Sequence, residues 1–126
     1  MQINRIDHLV LTVTDIERTV EFYTRILGMK KIEFGEGRIA LTCGKQKINL
    51  HQLGKEFEPK AQQVKAGSAD LCFIIDTPIA QAIEHLRQHG IELIEGPVNR
   101  TGARGKIISA YLRDPDGNLL EVSNYL

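Results

Sequence analysis

Four side chains interrupt apolar, strand-like runs with groups able to bind a metal ion. They are His8 in IDHLVLTV, His51 in KINLHQL, Asp70 at the head of its strand run, and Glu121 in NLLEVSNY. A strand sends alternate side chains to one face. His8 therefore shares a face with Ile6, Val10 and Thr12, His51 with Asn49 and Leu53, and Glu121 with Leu119, Ser123 and Tyr125. Two imidazoles and two carboxylates form a mixed nitrogen and oxygen donor set. It suits borderline divalent ions such as Zn, Ni, Co, Mn or Fe(II) over thiophilic ones. Taken singly, a strand histidine is more often just hydrogen-bonded or exposed. What joins these four is their placement in a repeated pattern.

The segment Asn99–Lys106 (NRTGARGK) sets Arg100, Arg104 and Lys106 among glycines and reads as a loop. Arginine can grip a carboxylate or phosphate through two parallel hydrogen bonds, and glycine lets the backbone approach. These three cations are the candidate substrate-binding residues, an anion clamp weighed against a solvated turn. His85 and His89 stand four apart on a helical stretch, a spacing that can chelate, but no third ligand lies near them in sequence. Phe22 and Tyr23 read as core packing. No nucleophile triad, phosphate-binding loop or dinucleotide fingerprint is present.

The elements that must position these groups are written twice. In the first half, a strand over 6–13 is followed by the cap Thr14-Asp15 and a helical run, IERTVEFYTRIL, ending at Gly28. Three short strands follow: MKKIEF, RIALTC and KINLHQL. In the second half, ADLCFII is followed by Thr77-Pro78 as cap and helix start, then a helix to Gly90. IELIEGP, KIISAYLR and NLLEVSNY complete it, the last after the turn Asp114–Asn118. His8 lies 20 residues before Gly28 (28 − 8) and Asp70 lies 20 before Gly90 (90 − 70). This matches His8 to Asp70, and aligning INLHQL with NLLEVS matches His51 to Glu121. The expected fold is α+β: two tandem βαβββ modules, 4–54 and 68–126, joined by a polar loop over 54–68. Together they make one domain whose curved mixed sheets enclose a cleft.

Bulk properties narrow the function. In 126 residues, 16 basic groups balance 16 acidic ones, so no general positive field favours nucleic acid or an anionic membrane. No apolar run approaches the ~20 residues of a membrane span. No basic start leads into an apolar leader, and Cys43 and Cys72 read as buried free thiols rather than a disulfide. These features set the expectation of a cytoplasmic protein with a small-molecule partner.

The opening IDHLVLTVTDIERTVEFYTRILGM and the closing YLRDPDGNLLEVSNY resemble the vicinal oxygen chelate superfamily. It includes glyoxalase I, fosfomycin-resistance thiol transferases, bleomycin-resistance proteins and extradiol dioxygenases. HQLGKEFEPKA and GPVNRTGARG are similar, more narrowly, to the glyoxalase-domain-containing protein 5 subgroup, with its bacterial virulence proteins and relatives of biphenyl-2,3-diol 1,2-dioxygenase. The resemblance implies a divalent metal held by the first and last strands of each module, with His8, His51, Asp70 and Glu121 at those positions. Relatives often carry histidine where this chain has Asp70, and the extradiol enzymes use a histidine there. The resemblance further implies a homodimer and a metal-dependent lyase or isomerase of glyoxalase type, acting on a small oxygenated or thiol-conjugated substrate. Glu121 would be the proton-transferring carboxylate, with Asp70 second. The alternatives are an Fe(II) extradiol-type dioxygenase and a non-catalytic small-molecule binding or resistance protein.

Overall fold

Alternation of apolar and polar residues in the first half becomes a four-stranded sheet in which one face carries a helix. Its strands are β1 (His8–Val13), β2 (Lys31–Phe34), β3 (Arg38–Cys43) and β4 (Gln46–Gln52), in the order β1-β4-β3-β2. The structure, a computed structural model, describes residues 1–126 and divides into two units, Met1–Ala66 and Gly67–Leu126. In unit 1, β1 runs parallel to β4, and the remaining pairs are antiparallel. The crossover between β1 and β2 is the helix α1 (Ile16–Arg25), which packs on β3 and β4. Asp15 caps it, accepting a hydrogen bond from the Arg18 amide at 3.0 Å, and satisfies one of the orphan donors of the first turn. At its other end Gly28 has φ +71°, the left-handed conformation that a helix terminator needs. Leu11, Val13, Tyr23, Leu41, Ile48 and Leu50 form the buried layer.

Unit 2 repeats the plan. Its strands β5 (Asp70–Ile74), β6 (Glu95–Gly102), β7 (Gly105–Arg113) and β8 (Leu119–Tyr125) are ordered β5-β8-β7-β6, with β5 parallel to β8. The helix α2 (Ile79–Gln88) packs on β7 and β8, and Ala82, Leu86, Ala110, Leu112, Leu120 and Val122 are buried. Two α/β modules of one topology make the fold α+β, as the repeated pattern implies. Segment 54–68 contributes no helix or strand.

Three expectations need correction. The stretch Asn99–Lys106 is not a loop: Asn99–Gly102 finishes β6, Gly105-Lys106 begins β7, and only Ala103-Arg104 turns between them. Glycine and charge suggested a mobile turn, but pairing with β7 satisfies this backbone and carries the strand well past the proline of IELIEGP. The cap of α2 is not Thr77. Asn124 on β8 accepts from the Ile79 amide at 2.7 Å and donates to the Ile75 and Thr77 carbonyls. The cysteines are not buried, since Cys43 is half-buried and Cys72 is exposed.

Candidate functional site

Register determines which side chains share the sheet face away from each helix. In unit 1, β1 places His8 beside Lys47, Val10 beside Asn49, and Thr12 beside His51. In unit 2, β5 places Asp70 beside Leu119, Cys72 beside Glu121, and Ile74 beside Ser123. His8 and Asp70 are thus equivalent. The equivalent of Glu121, however, is Asn49, and the equivalent of His51 is Ser123. The alignment of INLHQL with NLLEVS is therefore out by two residues. This kept each residue on its proper face, because strand periodicity is two, but moved it one step along the strand.

Buried polar atoms without hydrogen-bond partners are rare, because each costs about 1–3 kcal/mol of lost hydration. Here they fall on this helix-free face of both units: Asn49 Oδ1, both ring nitrogens of His51, and Glu121 Oε1. His51 is 3% exposed and Asn49 5%. His8 differs, being largely exposed, with its Nδ1 2.8 Å from Asp7 Oδ2. A carboxylate on one ring nitrogen orients an imidazole and leaves Nε2 for a further bond, as in the outer shell of many metal sites.

The surroundings of the two faces differ in charge. Arg38 precedes the β3 residue paired with Leu50, and its guanidinium stands 5.0 Å from the Phe34 ring and 4.9 Å from the Phe57 ring. Phe57 also meets the His51 ring edge-on, at 5.6 Å between centroids. Burial, then the charge of Arg38, holds the His51 imidazole below its ordinary pKa, and Lys60 acts in the same direction against Glu56. Glu56 itself is tied to Lys60 at 2.9 Å and to the Gly54 amide. Lys47 lies 3.6 Å from the centre of the Phe34 ring.

In unit 2, Tyr111 pairs with Glu121 across β7 and β8, and its hydroxyl accepts from Arg100 Nε at 3.1 Å. Burial raises the Tyr111 pKa, Arg100 opposes the rise, and Glu121 adds to it. Burial likewise pushes the Cys72 thiol up; its sulfur lies 3.5 Å from Ser123 Oγ. Ser123 and Ser109 share a buried 2.7 Å hydrogen bond.

The three cations of the expected clamp are dispersed. Arg100 bonds Tyr111 and pairs with Glu95 at 3.2 Å, Arg104 sits in the turn, and Lys106 occupies the strand position before Ile107, which alternates to the other face. Within each unit, no group of three His, Cys, Asp or Glu side chains stands ready to hold a metal ion. His85 and His89 have rings 4.3 Å apart, with His89 Nδ1 on the His85 carbonyl. Sequence reading passed over Asn49, Arg38, Phe57 and Tyr111. Only the alternation Arg38-Ala40-Thr42 along β3 could have flagged the arginine's face.

A model of the Glyoxalase/Bleomycin resistance protein/Dioxygenase superfamily matches residues 5–122. The chain belongs to this superfamily. Among its relatives, glyoxalase domain-containing protein RDO1 of Mycosarcoma maydis is 58% identical over 99% of this chain and 70% of its own length. Virulence protein STM3117 of Salmonella typhimurium is 57% identical over all of this chain and 88% of its own. The crystal structure of STM3117 superposes with a TM-score of 0.98, covering the whole of both chains. An integron cassette protein from V. cholerae, 63% identical, reaches the same score over all of this chain and 98% of its own. Metallothiol transferase FosB of Shouchella clausii, over 95% of this chain and 80% of its own, and lactoylglutathione lyase of Pseudomonas aeruginosa, over 92% and 80%, are more distant superfamily relatives at 27% identity. No helix is long and apolar enough to cross a membrane.

Proposed function

We propose that this protein is a divalent-metal-dependent lyase or isomerase of glyoxalase type, acting on a small oxygenated or thiol-conjugated substrate. The observation that carries the reading is Glu121: a carboxylate on a strand face beside Tyr111 and Cys72, with one buried oxygen that makes no hydrogen bond. An unpartnered carboxylate oxygen fits a cation or a substrate proton. The names of the more distant relatives, a metallothiol transferase and lactoylglutathione lyases, agree with that chemistry.

The candidate metal ligands in this proposal are His8 and His51 of unit 1 and Asp70 and Glu121 of unit 2. Ni, Zn, Mn, Co or Fe(II) would suit their oxygen and nitrogen donors. When bound, a divalent ion polarises a carbonyl oxygen and so acidifies the adjacent C–H. Glu121, released from its ligand role, would be the base that takes the proton from one carbon and returns it to the neighbouring one, with Asp70 second. Tyr111, placed opposite Glu121 and held by Arg100, orients the substrate's oxygen. Of the three cations first expected to bind substrate, Arg100 is the one on this face, while Arg104 and Lys106 would act only at the hairpin end. On the same footing, the protein would work as a cytoplasmic homodimer.

The test is metal content after purification without a polyhistidine tag, for wild type and for His8→Ala and Glu121→Ala. About one divalent ion per chain in wild type, weakened ~100-fold or more in both variants, is expected. Metal uptake indifferent to both substitutions would overturn the site. Bound Fe(II) with oxygen consumption on catechols would instead identify an extradiol-type dioxygenase. Retention of a small molecule without metal or turnover would identify a binding protein.

A further inference from the structure

Arg38 lies on the unit 1 face and takes no part in the proposed metal chemistry. Its guanidinium makes no hydrogen bond and no ion pair, yet two aromatic rings, Phe34 and Phe57, flank it at 5.0 and 4.9 Å. Rings stacked on a guanidinium hold its plane and leave the edge, where the N–H groups lie, open to a planar acceptor. Beneath the same Phe57 ring lies His51, 3% exposed, with neither ring nitrogen partnered. A neutral imidazole offers one N–H donor and one acceptor, and burying both unpaired is costly unless a ligand meets them. Lys60, already tied to Glu56, lies close enough to act on His51 electrostatically. At His51 the influence of Arg38 exceeds that of either Glu56 or Lys60, which oppose each other, the donors are directional, and no carboxylate of the chain pairs with Arg38.

We infer that Arg38 and His51, beneath Phe57, form a binding subsite for the carboxylate of a small-molecule ligand. Arg38 supplies two parallel N–H donors, matching the two oxygens of a carboxylate. His51 supplies a third, shielded from water, and Phe57 covers the pair. The inference extends the proposed function by naming an anionic group on the substrate. It rests on residues of unit 1 alone and does not require the metal.

The test is a titration of chelator-treated full-length protein with sodium acetate and sodium succinate, followed through the side-chain NMR signals of Arg38 Nε–H and the His51 ring. Sodium phosphate and acetamide serve as comparison probes. Saturable shifts with the carboxylates are expected at both side chains, with none from acetamide. Arg38→Lys, which keeps the charge and loses the planar fork, should weaken binding about tenfold. His51→Gln should weaken it severalfold, and Glu121→Gln should leave it unchanged. That last result separates this subsite from the metal proposal, which Glu121→Gln would damage. Absence of saturation, saturation by phosphate but not by carboxylates, or undiminished affinity in an Arg38→Lys protein with native circular dichroism would each overturn the inference. So would equal loss in Glu121→Gln.

Discussion

The two units share a backbone plan and differ in what they hang on it. At matching register positions unit 1 carries His8, Asn49 and His51, and unit 2 carries Asp70, Glu121 and Ser123. Around these, unit 1 gathers Arg38, Lys47 and two phenylalanines, whereas unit 2 gathers Tyr111, Cys72 and a buried serine pair. Alternation and strand order are demanded by the core, so they survive in both copies. The face away from the helix does not have to fill a core and can change residue by residue. One copy has kept a carboxylate with an unsatisfied oxygen, and the other has a cationic aromatic patch.

The same contrast runs through the parts that hold each sheet together, and substitution can break it. The β7–β8 turn is locked by Asn118, 2% exposed, which donates to Asp114 Oδ2 and accepts from the Ala69 amide, both at 2.8 Å. Its counterpart in unit 1 is the two-residue turn Gly44-Lys45. Asn118→Ala removes the hydrogen bonds to Asp114 Oδ2 and from the part-buried Ala69 amide, and should cost about 2–4 kcal/mol. Gln46→Ala, at the end of the shorter turn, should cost less than about 0.5 kcal/mol. Urea unfolding of the two variants measures both, and a loss below about 1 kcal/mol for Asn118→Ala would remove the distinction.

A smaller contrast concerns the helix caps. Asp15 caps α1 from within its own segment, but Asn124 caps α2 from a strand 45 residues further on (124 − 79). Asp15→Ala should cost about 1 kcal/mol, the ordinary price of a lost cap. Asn124→Ala also frees two carbonyls and should cost about 2 kcal/mol. Because it severs β8 from α2, it should speed exchange of the Ile79 amide, while Asp15→Ala leaves that amide protected. Equal exchange in the two variants would make the caps alike.

The smallest effect is in pH dependence. His51 in the folded chain lies below its ordinary pKa, through burial and then Arg38, whereas in the unfolded chain it takes a value of about 6.5. Above about pH 6.5 both states are neutral there and His51 contributes nothing. As pH falls through that value, the unfolded chain takes up the proton first, so folding loses stability. His51→Gln should therefore flatten the decline between about pH 7 and pH 5. Ser123→Ala at the matching position of unit 2 should leave its slope unchanged. Parallel curves for wild type and His51→Gln would show that the unit 1 patch does not act on the histidine.

Much of the fold is legible in the residues. Apolar alternation, Asp15, and Gly28 and Gly90 mark the modules because core burial and backbone conformation impose them locally. His8 and Asp70 could be matched because each stands 20 residues before a helix-ending glycine. The match of His51 to Glu121 could not succeed on the same grounds, since a two-residue slide preserves the face of every side chain and only pairing with a neighbouring strand forbids it. Arg100 in a loop failed for a related reason, as glycines near charge describe a hairpin end and a mobile turn equally well.

By itself, then, the sequence determined the α+β class, the duplication, the superfamily, and the donor types from which a metal site could be drawn. Those properties are carried by periodicity and by residue chemistry, which act over a few neighbouring positions. Only the tertiary structure decided that Asn49 rather than His51 matches Glu121, that Asn124 caps a helix across the sheet, and that Arg38 stands between two aromatic rings. Each depends on hydrogen-bond register or on packing between distant segments. A linear pattern of side chains does not encode either, because several registers bury the same apolar face equally well.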